Sequence, residues 1–186
     1  QVLTLLEKQI FLYGGCRFVM TNSQLVKKQI MDHYGVPSGK IIVIYNSVDT
    51  NLFTIVNREA VRKETRIRQG IDKNANVIFF AGNDFQRKGL SVLIKAVAGL
   101  KREDVMILVA GSDRSAPYER LADDLGIRGR VRFLGGIENL ERLYLASDLF
   151  VLPTRYDAFA NVCLEAMACA TPVITSVTNG AGELIH

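Results

Sequence analysis

Histidine is nearly missing from this chain: His33 and His186 are the only two in 186 residues. A histidine-built zinc site or a Ser-His-Asp triad therefore has almost nothing to work with. His33, near the end of a helical pattern, reads as a solvated last-turn residue. Cysteine is sparse and odd in number, with Cys16, Cys163 and Cys169 lacking metal-ligand spacing. Cys163 and Cys169 fall in an apolar helical stretch, so they read as small core residues in a reducing compartment. No apolar run approaches the roughly 18 residues of a membrane span. A Walker A loop and a Gly-x-Gly-x-x-Gly fingerprint are both missing, as are internal repeats and low-complexity segments. The opening "QVLTLLEKQIFLYGG" has no initiator Met and no signal-peptide layout, and we expect a piece of a longer chain.

What is present fits a globular protein. Hydrophobic residues make up 48% and charged ones 23%, as in soluble domains. The length suffices for one good core, or one domain plus part of another. A net charge of +4 and a pI near 9.0 favour anionic partners: phosphates, nucleic acid or an anionic membrane surface. The densest basic stretch, "NREAVRKETRIRQG" at 57–70, interleaves acids with bases and predicts a solvated helix face. It carries no aromatics to stack bases, which argues against nucleic acid.

Short runs rich in Val, Ile and Phe recur at 16–20, 41–45, 76–82, 105–111, 130–136, 148–153 and 172–175. They do not alternate with polar residues, so they predict strands buried on both faces. Helical patterns lie between the later ones: "LSVLIKAVAGL", "PYERLADDLG" opening on Pro117 and stopping at Gly126, "ENLERLYLAS" and "NVCLEAMACA". Alternation of this kind predicts an α/β fold, a doubly wound parallel sheet. The stretch 34–53, with Pro37, Gly39, Asn46, Ser47 and Asp49, resembles a connection between domains. We place the division after residue 48, with 1–48 the tail of a preceding domain and 49–186 a second one.

Ligands of parallel α/β sheets bind at the carboxyl ends of the strands, so the loops "NDFQRKG", "GSDRS", "GIEN" and "TRYDAFAN" belong on one edge. Arg87 and Lys88 precede Gly89, which opens a helix. Two cations beside free N–H groups would bind phosphate, although a solvated basic loop reads the same way. Ala158 and Ala160 are small enough for a ligand to approach the backbone, and the helix that follows offers a second anion site. Glu165 sits in an apolar run, where an unpaired carboxylate is costly. Ribose hydroxyls would satisfy it, and so would a local Lys, Arg or backbone N–H.

The block "DAFANVCLEAMACATPVI", 157 to 174, together with "GNDFQRKG" and "FVMTNSQLVKKQI…VIYNSVDTNLF", resembles the group 1 glycosyltransferases. These form family 4 of the retaining nucleotide-sugar enzymes and have the GT-B fold; the branch most similar is that of the lipopolysaccharide-core glucosyltransferases. The resemblance implies a hexose transferred from a UDP- or GDP-sugar to a glycan, lipid-linked or lipopolysaccharide-type acceptor, without metal or other cofactor. It implies catalytic roles for Arg87 and Lys88 at the diphosphate and for Asp157 at the transferred sugar. Glu165 would take the ribose. Gly82, Asn83, Gly89, Gly135, Ile137, Ala158, Phe159, Ala160, Asn161 and Val162 would complete the donor site, the backbone of Phe159, Ala160 and Asn161 approaching sugar and phosphate. The acceptor would bind the preceding domain, so the fragment alone should not turn over. The expected location is cytoplasmic, with peripheral contact at the inner face of the cytoplasmic membrane and no nucleic-acid partner. The chain departs from the family at Asp157 (usually Glu), at Asn83 (often Arg), and at Ala158, Ala160 and Ala170 (usually Gly). A sugar-nucleotide 2-epimerase of the same fold and a non-catalytic phosphate-binding module are the alternatives.

Overall fold

The computed structural model describes residues 2–11 and 15–185; His186 lies outside them. Helix α1 (Val2–Phe11) opens the described chain; strands β1 (Val19–Thr21) and β2 (Ile41–Val43) then form a small parallel sheet, with helix α2 (Gln24–Tyr34) packed against it. His33 is exposed in the last turn of α2. Helix α3 (Arg58–Arg68) follows. A five-stranded sheet then alternates with helices: β3 (Asn76–Ala81), α4 (Leu90–Gly99), β4 (Val105–Ala110), α5 (Ala116–Asp124) and β5 (Val131–Gly135). The second half runs α6 (Leu140–Ala146), β6 (Leu149–Leu152), α7 (Asn161–Ala168) and β7 (Val173–Thr175).

All five strands are parallel, in the order β5-β4-β3-β6-β7. The chain starts at the centre, winds outward through β4 and β5, then returns to the other side of β3 with β6. Winding reverses between β3 and β6, and a doubly wound sheet opens its binding crevice at that point. The loops after β3 and β6 face each other there.

Burial follows position in the sheet. Val77, Phe79, Phe80, Ile107, Leu108, Phe150 and Leu152 are almost completely buried, because helices cover both faces of the central strands. The expectation of double burial fails at the margins: Met20, Ile42 and Ile174 are 72%, 46% and 55% exposed. These residues belong to the small sheet or the β7 edge, where, among the described residues, no helix covers one face of the strand.

The basic stretch at 57–70 is also not simply a solvated face. Arg66, 8% exposed, donates to the carbonyls of Ala146 and Ala75 and pairs with Asp148 at 2.7 Å. Arg62 donates to the carbonyls of Ala146 and Ser147 and holds the other Asp148 oxygen at 2.5 Å. Val77 N–H also donates to Asp148, at 2.7 Å. The pair of arginines thus ties α3, the end of α6 and the starts of β3 and β6 together, at the end of the sheet opposite the crevice. The remaining arginine of the helix's last turn, Arg68, pairs with Glu64 in solvent.

Candidate donor site

The loop after β3 is shaped by close backbone packing. Gly89 has φ +80°, and a Cβ there would stand 2.0 Å from the Pro153 carbonyl oxygen, so glycine is required where this loop meets the loop after β6. Phe85 anchors the loop: it is 1% exposed, and its ring packs against Phe80, Tyr118 and Phe133. Its N–H donates to Asp113 at 2.8 Å. Asn83 Oδ1 accepts from Ser112 N–H at 2.8 Å, so this side chain already bridges the loops after β3 and β4.

With the loop fixed, its two cations point across the crevice. Lys88 packs along Gly82 and pairs with Asp157 Oδ2; both side chains are only 12% exposed. Arg87 reaches the same oxygen at 3.2 Å and also donates to the Tyr156 carbonyl at 3.0 Å. Its Nε donates to Asp84 at 2.8 Å. Hydrogen bonds from the Arg87 backbone and guanidinium hold the Asp84 carboxyl below the usual carboxylate range. Two carboxylates, Asp84 in the same loop and Asp157 in the facing one, therefore balance the two cations across the crevice.

The opposite wall is the loop after β6 and the start of α7. Phe159 N–H donates to Asp157 Oδ1 at 3.2 Å and Ala160 N–H to Asn179 Oδ1 at 3.1 Å. These two amides, which the resemblance assigned to sugar and phosphate, are occupied. Among the described residues, the N–H groups of Asn161 and Val162 have no acceptor. They open α7, where an anion is favoured. The ring of Phe159 is core, 6% exposed and 6.0 Å from that of Tyr45. Ala158 is tied through its carbonyl to the Ser23 hydroxyl at 2.8 Å. The Asn161 side chain accepts from Asn46.

Glu165 lies one turn into α7 and is half-buried. Among the described residues, neither a cation nor a backbone N–H partners it; the Tyr144 hydroxyl does, donating to Oε2 at 2.8 Å. Burial raises the Glu165 carboxyl above its ordinary value, and the Tyr144 hydrogen bond opposes that rise. Between the two walls lies a cleft of about 170 Å³, lined by Gly82, Asn83, Ser112, Ile137 and Val162. Gly136 lines it and Gly135 does not. A register shift between Val109 and Ala110 puts Gly135 opposite Ala110, where its carbonyl accepts from Gly111. A larger cavity, about 470 Å³, runs along the edge of β7 and touches none of the charged groups above.

The structure thus brings Arg87, Lys88 and Asp157 into contact, sets Gly82, Asn83, Ile137 and Val162 around one cleft, and puts Glu165 on the adjoining helix. Tyr144, Asp113, Asn179 and Ser23 are the site-shaping residues that sequence reasoning missed. For Tyr144 there was a signal: a tyrosine on the apolar face of a helix needs a partner for its hydroxyl. Among the described residues, no group of three or more His, Cys, Asp or Glu side chains is placed to hold a metal ion. No helix among them is long and apolar enough to cross a membrane.

The family model "Glycosyl transferases group 1" matches residues 61–186, and the model "Glycosyltransferase Family 4" matches 2–52. The chain belongs to the group 1 glycosyl transferases. It is 34% identical over 177 residues to an uncharacterised glycosyltransferase of Methanocaldococcus jannaschii, with 93% of this chain and 45% of that protein covered. To the D-inositol 3-phosphate glycosyltransferase of a Mycobacterium species it is 35% identical over 170 residues, covering 87% and 37%. To the lipopolysaccharide glucosyltransferase WaaG of Escherichia coli it is 34% identical over 127 residues, covering 67% and 34%. The chain therefore spans less than half the length of these relatives. The crystal structure of WaaG superimposes with a TM-score of 0.82 at 27% identity, covering 89% of this chain and 46% of that one. Anabaena HepE in complex with UDP-glucose gives 0.82 at 27% identity, covering 92% and 48%. These neighbours are GT-B glycosyltransferases, so the expected family and the expected parallel α/β fold both hold.

Proposed function

We propose that this chain supplies the donor half of a retaining glycosyltransferase, which moves a hexose from a nucleoside-diphosphate sugar to a glycan or lipopolysaccharide-type acceptor. The observation that carries the reading is the meeting of Lys88 and Arg87 with Asp157 at the switch-point crevice, just before a helix whose first N–H groups, those of Asn161 and Val162, have no acceptor among the described residues. Two cations and a helix N-terminus are what a departing diphosphate requires. Support comes from the fold shared with HepE, a protein solved with UDP-glucose.

Each residue then has a chemical task. The diphosphate takes Lys88 and Arg87 from Asp157, and α7 takes part of the phosphate charge. Asp157, released, accepts hydroxyls of the transferred sugar; being shorter than the family's Glu, it draws the sugar closer or reaches it through a water. Ile137 and its neighbours flank the base, and Glu165 holds the ribose. The acceptor binds the part of the enzyme that precedes residue 49 and attacks the anomeric carbon on the face the diphosphate leaves. No metal is assigned a step.

The test is calorimetric titration of the chain with UDP, GDP and ADP, repeated with Lys88→Ala and Glu165→Ala. Selective binding of one nucleotide that both variants weaken at least tenfold is expected. Equal binding of all three, unaffected by either change, would leave only a generic phosphate-binding module.

A further inference from the structure

Tyr144 is a buried phenol whose hydroxyl is aimed at the carboxylate that the proposed function gives to the ribose. Its side chain is fully buried, with the ring centroids of Phe79, Phe150 and Phe53 at 5.0, 5.4 and 6.0 Å. The Tyr144 carbonyl accepts from the Thr171 hydroxyl at 2.8 Å and from Ser147 N–H at 3.1 Å. Ring and backbone are both fixed, so the hydroxyl has one place to be. From there it donates to Glu165 Oε2 at 2.8 Å, and among the described residues nothing else donates to that carboxylate. Burial and the neighbouring Glu165 push the phenol well above its ordinary value of 10.0, so it stays protonated, a donor, throughout the neutral range.

We infer that Tyr144 is a positioning residue for Glu165. It engages Oε2, sets the plane of the carboxylate, and leaves Oε1 to accept from the paired hydroxyls of a nucleoside-diphosphate ribose. The inference rests on the donor-site reading above and adds to it the group that makes ribose recognition specific. The last torsion of a glutamate is soft, and an unheld carboxylate would have to be ordered by the ligand itself. Tyr144 orders it beforehand, and preorganisation of this kind raises affinity without touching the ligand. A hydrogen bond from a neutral hydroxyl to a carboxylate also favours the ionised form, the form that accepts from hydroxyls.

The experiment compares the tightest-binding nucleotide among UDP, GDP and ADP with its 2′-deoxy and 3′-deoxy forms, on the wild type, Tyr144→Phe, Glu165→Ala and the double variant. The phenylalanine keeps the ring and its aromatic contacts. Tyr144→Phe is expected to bind the ribonucleotide about tenfold more weakly, the scale of one hydrogen bond to a charged group. It should bind the deoxy forms within about twofold of wild type, so most of the preference for ribose disappears. In the Glu165→Ala background it should change nothing further. A merely structural role would weaken all nucleotides alike, which overturns the inference. So would a full ribose preference in Tyr144→Phe alongside its loss in Glu165→Ala, a result that leaves the donor-site reading standing. A wild type with no ribose preference overturns that reading itself, and the inference with it.

Discussion

Ala170→Gly should stabilise the protein, and the structure supplies the magnitude. Helix α7 ends at Ala168. Beyond it, Ala170 N–H bonds the Met167 carbonyl at 2.9 Å and Thr171 N–H bonds the Ala166 carbonyl at 2.9 Å. This pair of bonds closes a helix through a left-handed residue, normally glycine. Gly70 and Gly126 fill that place after α3 and α5, at φ +57° and +69°. Alanine fills it after α7, at φ +50°. A β-carbon in this conformation costs about 1–2 kcal/mol. Replacing it with glycine gives back about 0.4–1 kcal/mol through the freer unfolded chain. Ala170 is exposed, so no packing is lost, and the contact from Arg58 is to its backbone carbonyl, which glycine keeps. The net gain is about 0.5–1 kcal/mol, a rise in Tm of roughly 1–4 °C for a chain of this size. Urea unfolding should show a higher midpoint with an unchanged slope. Gly126→Ala is the mirror experiment and should lose about 1 kcal/mol. If Ala170→Gly is neutral or destabilising while Gly126→Ala costs as stated, the strain assigned to Ala170 is wrong.

Three further outcomes are expected. Asp148→Asn breaks the clamp on Arg62 and Arg66; with Arg66 nearly buried but Asp148 a third exposed, the loss should be about 2 kcal/mol, and an unchanged urea midpoint would show the arginines to be idle. Glu165→Gln should gain on wild type as pH rises: the folded Glu165 carboxyl lies above its ordinary 4.5, so its protonated form stabilises the fold at low pH and that contribution is lost as pH rises through the folded value. A stability gap between the two proteins that stays constant from pH 4 to 8 would refute this. Asp157→Asn should bind UDP about tenfold more tightly while a full-length enzyme carrying it loses transfer; weaker UDP binding would mean Asp157 does not compete for the cations.

Periodicity and loop position made the order of elements and one wall of the crevice legible in the sequence. Arg87, Lys88 and Asp157 stand at strand ends, and a parallel sheet brings strand ends together wherever the loops lead. What sequence could not give was the pairing of individual polar atoms. The sequence did not show that the Phe159 and Ala160 N–H groups donate to Asp157 and Asn179, or that those of Asn161 and Val162 have no acceptor among the described residues. Nor did it show that Gly135 pairs with Ala110 after a register shift, so that Gly136 is the glycine that lines the cleft. Arg62 and Arg66 read as solvent-facing because their partner, Asp148, is more than 80 positions away in sequence. The arginine contacts to Asp148 are long-range and have no local signature.

The charges that meet across the crevice bear on how a nearly buried lysine is accommodated there. Lys88, at 12% exposure, would be costly to bury without a counter-charge. Asp157 supplies it from the facing loop, and Asp84 and Asp157 share Arg87. The four charges therefore sum to zero, and the two loops that carry them are in contact. On the proposed function, an incoming diphosphate does not meet two waiting cations; it exchanges with a carboxylate. Net affinity is the difference between two ion pairs of similar kind, so the nucleotide is held less tightly than the number of cations suggests. What is gained is placement: the displaced carboxylate is left beside the sugar that the diphosphate carries. On that reading, the residue that pairs with Lys88 becomes available to the sugar only as the diphosphate takes its place.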